Sequence, residues 1–150
     1  MNKERLKAIG ELLLECTEEE LDRIALVFEK TKKSPEELVD DMLLELGVPD
    51  ALSGHKFLKT AILMVAEDDS WLRSVTSELY PEIARRHENQ TKAGVERTMR
   101  HAIFVASDRC DMDVFNKFFR NTVSSSKGAP TVREFIGRCA AVLRKQVSEK

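Results

Sequence analysis

The chain has 150 residues, 42% of them hydrophobic and 33% charged, with only six Gly and four Pro. That composition excludes a disordered polymer, and no apolar run approaches the ~20 residues a bilayer-crossing helix needs. The net charge of −2 hides a split: residues 1–50 hold 7 Lys+Arg against 14 Asp+Glu, and residues 51–150 hold 17 against 12, so a polyanionic partner belongs to the second part.

No segment sustains apolar/polar alternation, and the fold is expected to be all-α. The first helix carries Leu6, Ile9, Leu12 and Leu13 at helical spacing. Thr17-Glu-Glu-Glu20 reads as a capping box, in which the Thr17 hydroxyl takes the Glu20 amide and the Glu20 carboxylate reaches back. A second helix follows, with Leu21, Ile24, Ala25 and Phe28 on one side. Residues 1–33 thus predict an αα-hairpin too small to stand alone, which must dock on the rest or on another copy of itself.

Thr31-Lys-Lys33 is the expected joint to a second domain, residues 34–150. Ser34, Pro35 and Glu37 open a helix with Leu38, Met42, Leu43 and Leu46, which Gly47 closes. A helix from about Lys56 to Val65 is predicted next, then the acidic break Glu67-Asp-Asp69, read as a solvated helix end rather than a cation site. A helix over Trp71–Leu79 and another from Pro81 follow. Val114–Phe119 predicts a short helix and Asn121–Pro130 a loop. Thr131-Val-Arg-Glu134 is a third capping box, opening a last helix with Phe135, Ile136, Cys139, Ala140 and Leu143 inward.

Between these lies the segment that suggests chemistry. On the helix beginning near Thr91, Val95, Met99, Ala102, Ile103 and Ala106 fall on one side of a wheel at ~100° per residue. Glu96, Arg97 and Arg100 fall on the other, with Lys92 and His101 at its margins. The preceding helix offers Ile83 and Ala84 to the same core, and Glu88-Asn-Gln-Thr91 supplies a polar bend ending in an N-cap. This is the pattern of a helix-turn-helix, whose second helix lays its N-terminal half in the major groove of double-stranded DNA. Arg97 can pair with O6 and N7 of a guanine, and Glu96 can accept from the N4 amino group of a cytosine. Thr91, Lys92, Arg100 and His101 are the expected phosphate contacts.

Other chemistries find little support. Cys16, Cys110 and Cys139 are odd in number and widely spaced, which argues against a disulfide framework or a zinc site. His55, His87 and His101 have no partners at catalytic or metal spacing, and there is no phosphate-binding glycine loop. Neither an enzyme nor a cofactor is expected. His87 is read as a cation closing the first helix of the pair. With no basic-then-apolar leader, a cytoplasmic location is expected.

Leu46-Gly-Val-Pro49, Phe57-Leu-Lys-Thr-Ala-Ile62, Leu79-Tyr-Pro-Glu-Ile-Ala84, Val95-Glu-Arg97, Arg100-His-Ala-Ile103 and Pro130-Thr-Val-Arg-Glu-Phe-Ile136 occur in this order. Together they resemble the C-terminal DNA-binding domain of the master response regulator that initiates sporulation in endospore-forming bacteria, over about Ser34 to Gln146. The resemblance implies a six-helix bundle containing a helix-turn-helix, here behind the αα-hairpin. It also implies reading of a short promoter box, with Glu96 and Arg97 as base-reading residues and Arg100-His101 as a phosphate-contacting pair.

The sequence departs from that family at several points. A hairpin of 33 residues is too short for the family's phosphoacceptor receiver. Gly94 stands where a basic residue is frequent, and Phe104 where an acidic one is usual. Ser107 and Cys110 replace an expected Trp and Gly, and Arg120-Asn121 interrupts a Gly-Tyr pair. Two functions stay open: a stand-alone transcription regulator acting with RNA polymerase, whose hairpin either makes a homodimer or shields apolar surface left by the missing receiver, or an interaction protein that pairs with or competes against a full-length regulator.

Overall fold

The computed structural model describes residues 2–119 and 129–148, and every regular element among them is helical. The chain forms two compact units, Met1–Lys33 and Ser34–Lys150.

The first unit is a helical hairpin of α1 (Lys3–Leu14) and α2 (Glu18–Thr31). Asn2 caps α1 by accepting the Glu4 amide at 2.9 Å. Thr17 and Glu20 cap α2 reciprocally, at 3.2 and 3.0 Å. Local chemistry therefore suffices to start both helices. Packing does not complete them: α1 buries no residue, and Leu12, Leu14, Leu26 and Phe28 are all exposed.

The second unit contains six α-helices among the described residues: α3 (Pro35–Glu45), α4 (Ser53–Glu67), α5 (Tyr80–Arg86), α6 (Lys92–Arg109), α7 (Met112–Phe119) and α8 (Val132–Ser148). This is the all-α bundle that the sequence predicts. The Ser34–Glu37 and Thr131–Glu134 boxes both form, each with two reciprocal bonds. Helix α4 is the centre, packed between α8, α6 and α3. Its Leu58, Ala61, Ile62 and Val65 are wholly buried, together with Leu43 of α3, Met99 of α6 and Phe135 and Ile136 of α8.

Two glycines permit close approaches. Gly47 has φ +91°, and a Cβ there would stand 3.1 Å from both Ala106 O and Cys110 N. A Cβ on Gly54 would stand 2.5 Å from Ala102 Cβ and 2.8 Å from Thr98 O. Gly54 is thus where α4 crosses directly against α6.

Several boundaries differ from the sequence reading. Helix α4 begins at Ser53, three residues earlier, which brings His55 into the core at 5% exposure. Its Nε2 lies 3.0 Å from Asp40 Oδ1 and its Nδ1 3.4 Å from Val48 O, while Lys59 donates to Asp40 at 2.7 Å. Burial works to raise the Asp40 carboxyl, but the bonds from Lys59 and His55 outweigh it and hold the group below its ordinary value. Residues 69–79 do not form one α-helix. A 3-10 helix spans Asp69–Ser74 and a π-helical turn Val75–Leu79, broken at Ser74, where φ −134° and ψ 52° leave the helical region. Over so short a stretch the sequence pattern does not separate three-, four- and five-residue hydrogen-bond spacings.

In the acidic break, Asp68 accepts the Ser70 amide at 2.9 Å and Asp69 takes Arg144 at 2.6 Å. No group of three or more potential ligands for a metal ion occurs among the described residues. Most of the loop expected at Asn121–Pro130, including Ser124-Ser-Ser-Lys-Gly128, lies outside the described residues, as do Arg120 and Asn121. Cys110 and Cys139 are buried free thiols, both pushed up by burial, and Cys16 is a half-buried free thiol. No helix among the described residues is long and apolar enough to cross a membrane.

Candidate nucleic-acid interface

Helices α5 and α6 are joined by five residues, His87–Thr91, in which Asn89 takes a left-handed φ of 62°. Asn is one of the few non-glycine residues that adopts this conformation readily, so the tight turn is written into the sequence. Thr91 then caps α6, its hydroxyl accepting the Gly94 amide at 3.0 Å. Because Gly94 has no side chain, that cap is unhindered: a Cβ there would sit 3.0 Å from the same Thr91 oxygen.

The five residues expected on the inner side of α6, Val95, Met99, Ala102, Ile103 and Ala106, are all buried. Burial of that stripe fixes the rotation of the helix and therefore what faces outward. Lys92, Arg97, Arg100 and His101 are exposed, and Glu96 is half-buried at the edge of the stripe. Glu96 and Arg100, one turn apart, form an ion pair. Lys92, Arg97 and His101 have no hydrogen-bond or ion-pair partner among the described residues, so their donors stay available. Thr91 spends one lone pair on the Gly94 amide and keeps its hydroxyl proton to donate. Phe104 lies one heptad beyond Arg97 on the same outward stripe and is 66% exposed.

Helix α5 is held from behind. Its Glu82 accepts from Arg85 and Arg86 at 2.6 to 3.0 Å, and these bonds bring the carboxyl down to about 2. His87 corrects the sequence reading. Its Nε2 lies 2.9 Å from Thr60 Oγ1 and its ring meets Phe57 edge-on, at 5.0 Å between centroids. Burial, then Lys56 and Arg86, push its pKa below the ordinary value. It is a neutral strut between α5 and α4 rather than a cation on a helix end.

Sequence reasoning missed Tyr80, Arg73 and Arg133, which line one open hollow with Glu96 and Arg100. The Tyr80 hydroxyl is pushed up by burial and then by Glu96. Residues Arg73 and Arg133 come to Glu96 only through the fold, and no local pattern marks them.

The arrangement presents a capped helix N-terminus, three unpartnered donors and one carboxylate on a single rigid face. The chain matches the family described as Sporulation initiation factor Spo0A C terminal over residues 39–143, more than two thirds of its length.

Proposed function

This chain belongs to the family of Sporulation initiation factor Spo0A C-terminal domains, which are helical DNA-binding effectors, and from that premise we propose that it is a sequence-specific transcription regulator. The observation that carries this reading is Arg97: exposed, unpartnered and in the first half of α6, where a recognition helix meets base edges. In this role Arg97 reads a guanine and Glu96 a neighbouring cytosine. Arg100 occupies one oxygen of Glu96 in the free protein, and the other oxygen keeps lone pairs with which to accept. Thr91, Lys92, Arg100 and His101 set the register on phosphates. The regulator acts on the chromosome in the cytoplasm, with RNA polymerase as its downstream partner and no cofactor.

Titration of a fluorescent duplex bearing the family's promoter box, against a scrambled duplex at several salt concentrations, tests this. A clear specificity ratio and a steep negative salt slope are expected. Arg97→Ala should erase the ratio at a cost of about 1–3 kcal/mol. Lys92→Ala should instead weaken both duplexes alike and lower the salt slope by about 1. Equal, weak binding of the wild type to both duplexes would sink the reading.

Exposed Phe104 favours a second one, in which the chain occupies boxes or pairs with a full-length regulator without activating. A reporter bearing the box separates the two: activation supports the first, and interference with a co-expressed full-length regulator supports the second.

A further inference from the structure

A hollow of about 680 Å³ runs beside the Glu96–Arg100 side of α6, against the 3-10 and π-helical segments and the start of α8. Three guanidinium groups line it: Arg73, Arg100 and Arg133. Ser74, Thr76, Ser77, Tyr80 and Thr131, all hydroxyl-bearing residues, lie along it as well. Among the described residues its one lining carboxylate is Glu96, which is paired with Arg100. Arg73 and Arg133 make no ion pair within 4.0 Å among the described residues, although the charge of Arg73 is felt by Asp68 outside the hollow, so three arginines face one glutamate in the described lining.

Both arginines stand on well-anchored backbone. Arg133 lies in the first turn of α8, between the Thr131–Glu134 capping box and buried Phe135 and Ile136. Arg73 follows Leu72, whose Cδ1 lies 3.3 Å from where a Cβ on Gly137 of α8 would be, so the two segments abut. Planar guanidinium groups converging on one space suit phosphate oxygens, which they bind in pairs.

We propose that Arg73 and Arg133, which lie outside the helix-turn-helix, join Arg100 of α6 in binding the sugar-phosphate backbone of the DNA flanking the read bases. This rests on the DNA-binding reading above. Two features select backbone over a free anion. The hollow is far larger than one phosphate ion, and Glu96 and Arg100 make it continuous with the base-reading face. The site supplies affinity and register but no sequence information.

The test uses the full chain with Arg73→Ala and Arg133→Ala combined, and the matching double Lys variant, on box and scrambled duplexes at several salt concentrations. Melting curves check that each variant is folded. The double Ala variant should bind both duplexes several-fold more weakly, with its salt slope reduced by about 1 per phosphate lost and the specificity ratio unchanged. The Lys variant should recover most of the salt slope, because a point charge still neutralises the phosphate. Unchanged affinity and slope in the double Ala variant, with the wild type binding normally, would overturn this contact alone. A collapsed ratio with an unchanged slope would also overturn it, making the two arginines supports of the recognition helix. If the wild type binds neither duplex specifically, the DNA reading falls first and this site with it. Inorganic phosphate provides the last arm: saturable amide shifts at Thr131–Arg133 at low millimolar concentration without DNA would assign the hollow to a free anion instead.

Discussion

His87 shows how much one side chain contributes to holding α5 in place. The Thr60 hydroxyl donates to Lys56 O at 3.0 Å, so His87 Nε2–H donates to Thr60 and ties the end of α5 to α4. Burial, then Lys56 and Arg86, disfavour the protonated ring in the folded state. Below the ordinary value of 6.5 the unfolded chain therefore binds a proton that the folded chain resists. The contribution of His87 is complete above that pH and is lost as pH falls from it towards the lower folded value. His87→Gln keeps an amide donor and removes the titration. At about pH 7.5 the variant should be less stable by roughly 0.5–1.5 kcal/mol, the worth of an imperfectly replaced hydrogen bond. Between about pH 7.5 and 5 it should lose less stability than the wild type. Thermal melts across that range decide the matter, and parallel pH profiles would remove His87 from this role.

Among the elements, α6 depends on a contact that its own sequence does not reveal. Gly54 lets α4 approach so closely that an added Cβ would overlap Ala102 and crowd the Thr98 carbonyl. Gly54→Ala must push α4 off α6, at a cost of about 1–3 kcal/mol in urea unfolding, and on the proposed function it should weaken box binding alongside. Gly10 is the control. A Cβ there meets nothing within 4 Å, and Gly10→Ala should strengthen α1 by roughly 0.5–1 kcal/mol. If the two substitutions had equal effects, the close approach would not matter. The contrast also marks what the sequence discloses. Capping boxes at Thr17, Ser34 and Thr131 are decided within four residues, and all three form. The buried stripe of α6 follows from its own periodicity, and with it the outward set of Lys92, Glu96, Arg97, Arg100 and His101. Gly54 against Ala102, His87 against Thr60, and Arg73 and Arg133 beside Glu96 join residues 23 to 48 positions apart, and no local pattern encodes them. The 3-10 and π-helical stretch was hidden for another reason: its hydrophobic spacing fits an α-helix equally well.

For the whole molecule, the decisive asymmetry is between a unit with a core and a unit without one. Every buried core residue lies between Val39 and Leu143, and residues 2–33 supply none among those described. The second unit therefore has what it needs to fold alone, whereas the hairpin displays Leu12 at 65% and Leu14 at 87% exposure. A two-helix unit of this size gains stability by burying such faces against a partner. A second copy of the hairpin offers the same apolar stripe, and two hairpins make a four-helix arrangement with a shared core. In the homodimer expected from the sequence, pairing would place two DNA-binding units on one duplex, so that the second would bind at a high effective concentration. Light scattering after size exclusion should give the full chain twice its 17.1 kDa monomer mass. A chain beginning at Ser34 should be a folded monomer, and so should full-length Leu12→Glu. Both should bind a single box as the wild type does, yet lose affinity for tandem boxes by at least tenfold, within the range of about 10² to 10⁴ that linked sites provide. A monomeric wild type at high concentration would leave the hairpin to another partner, and equal loss on single and tandem boxes would show that it supports the reading head directly.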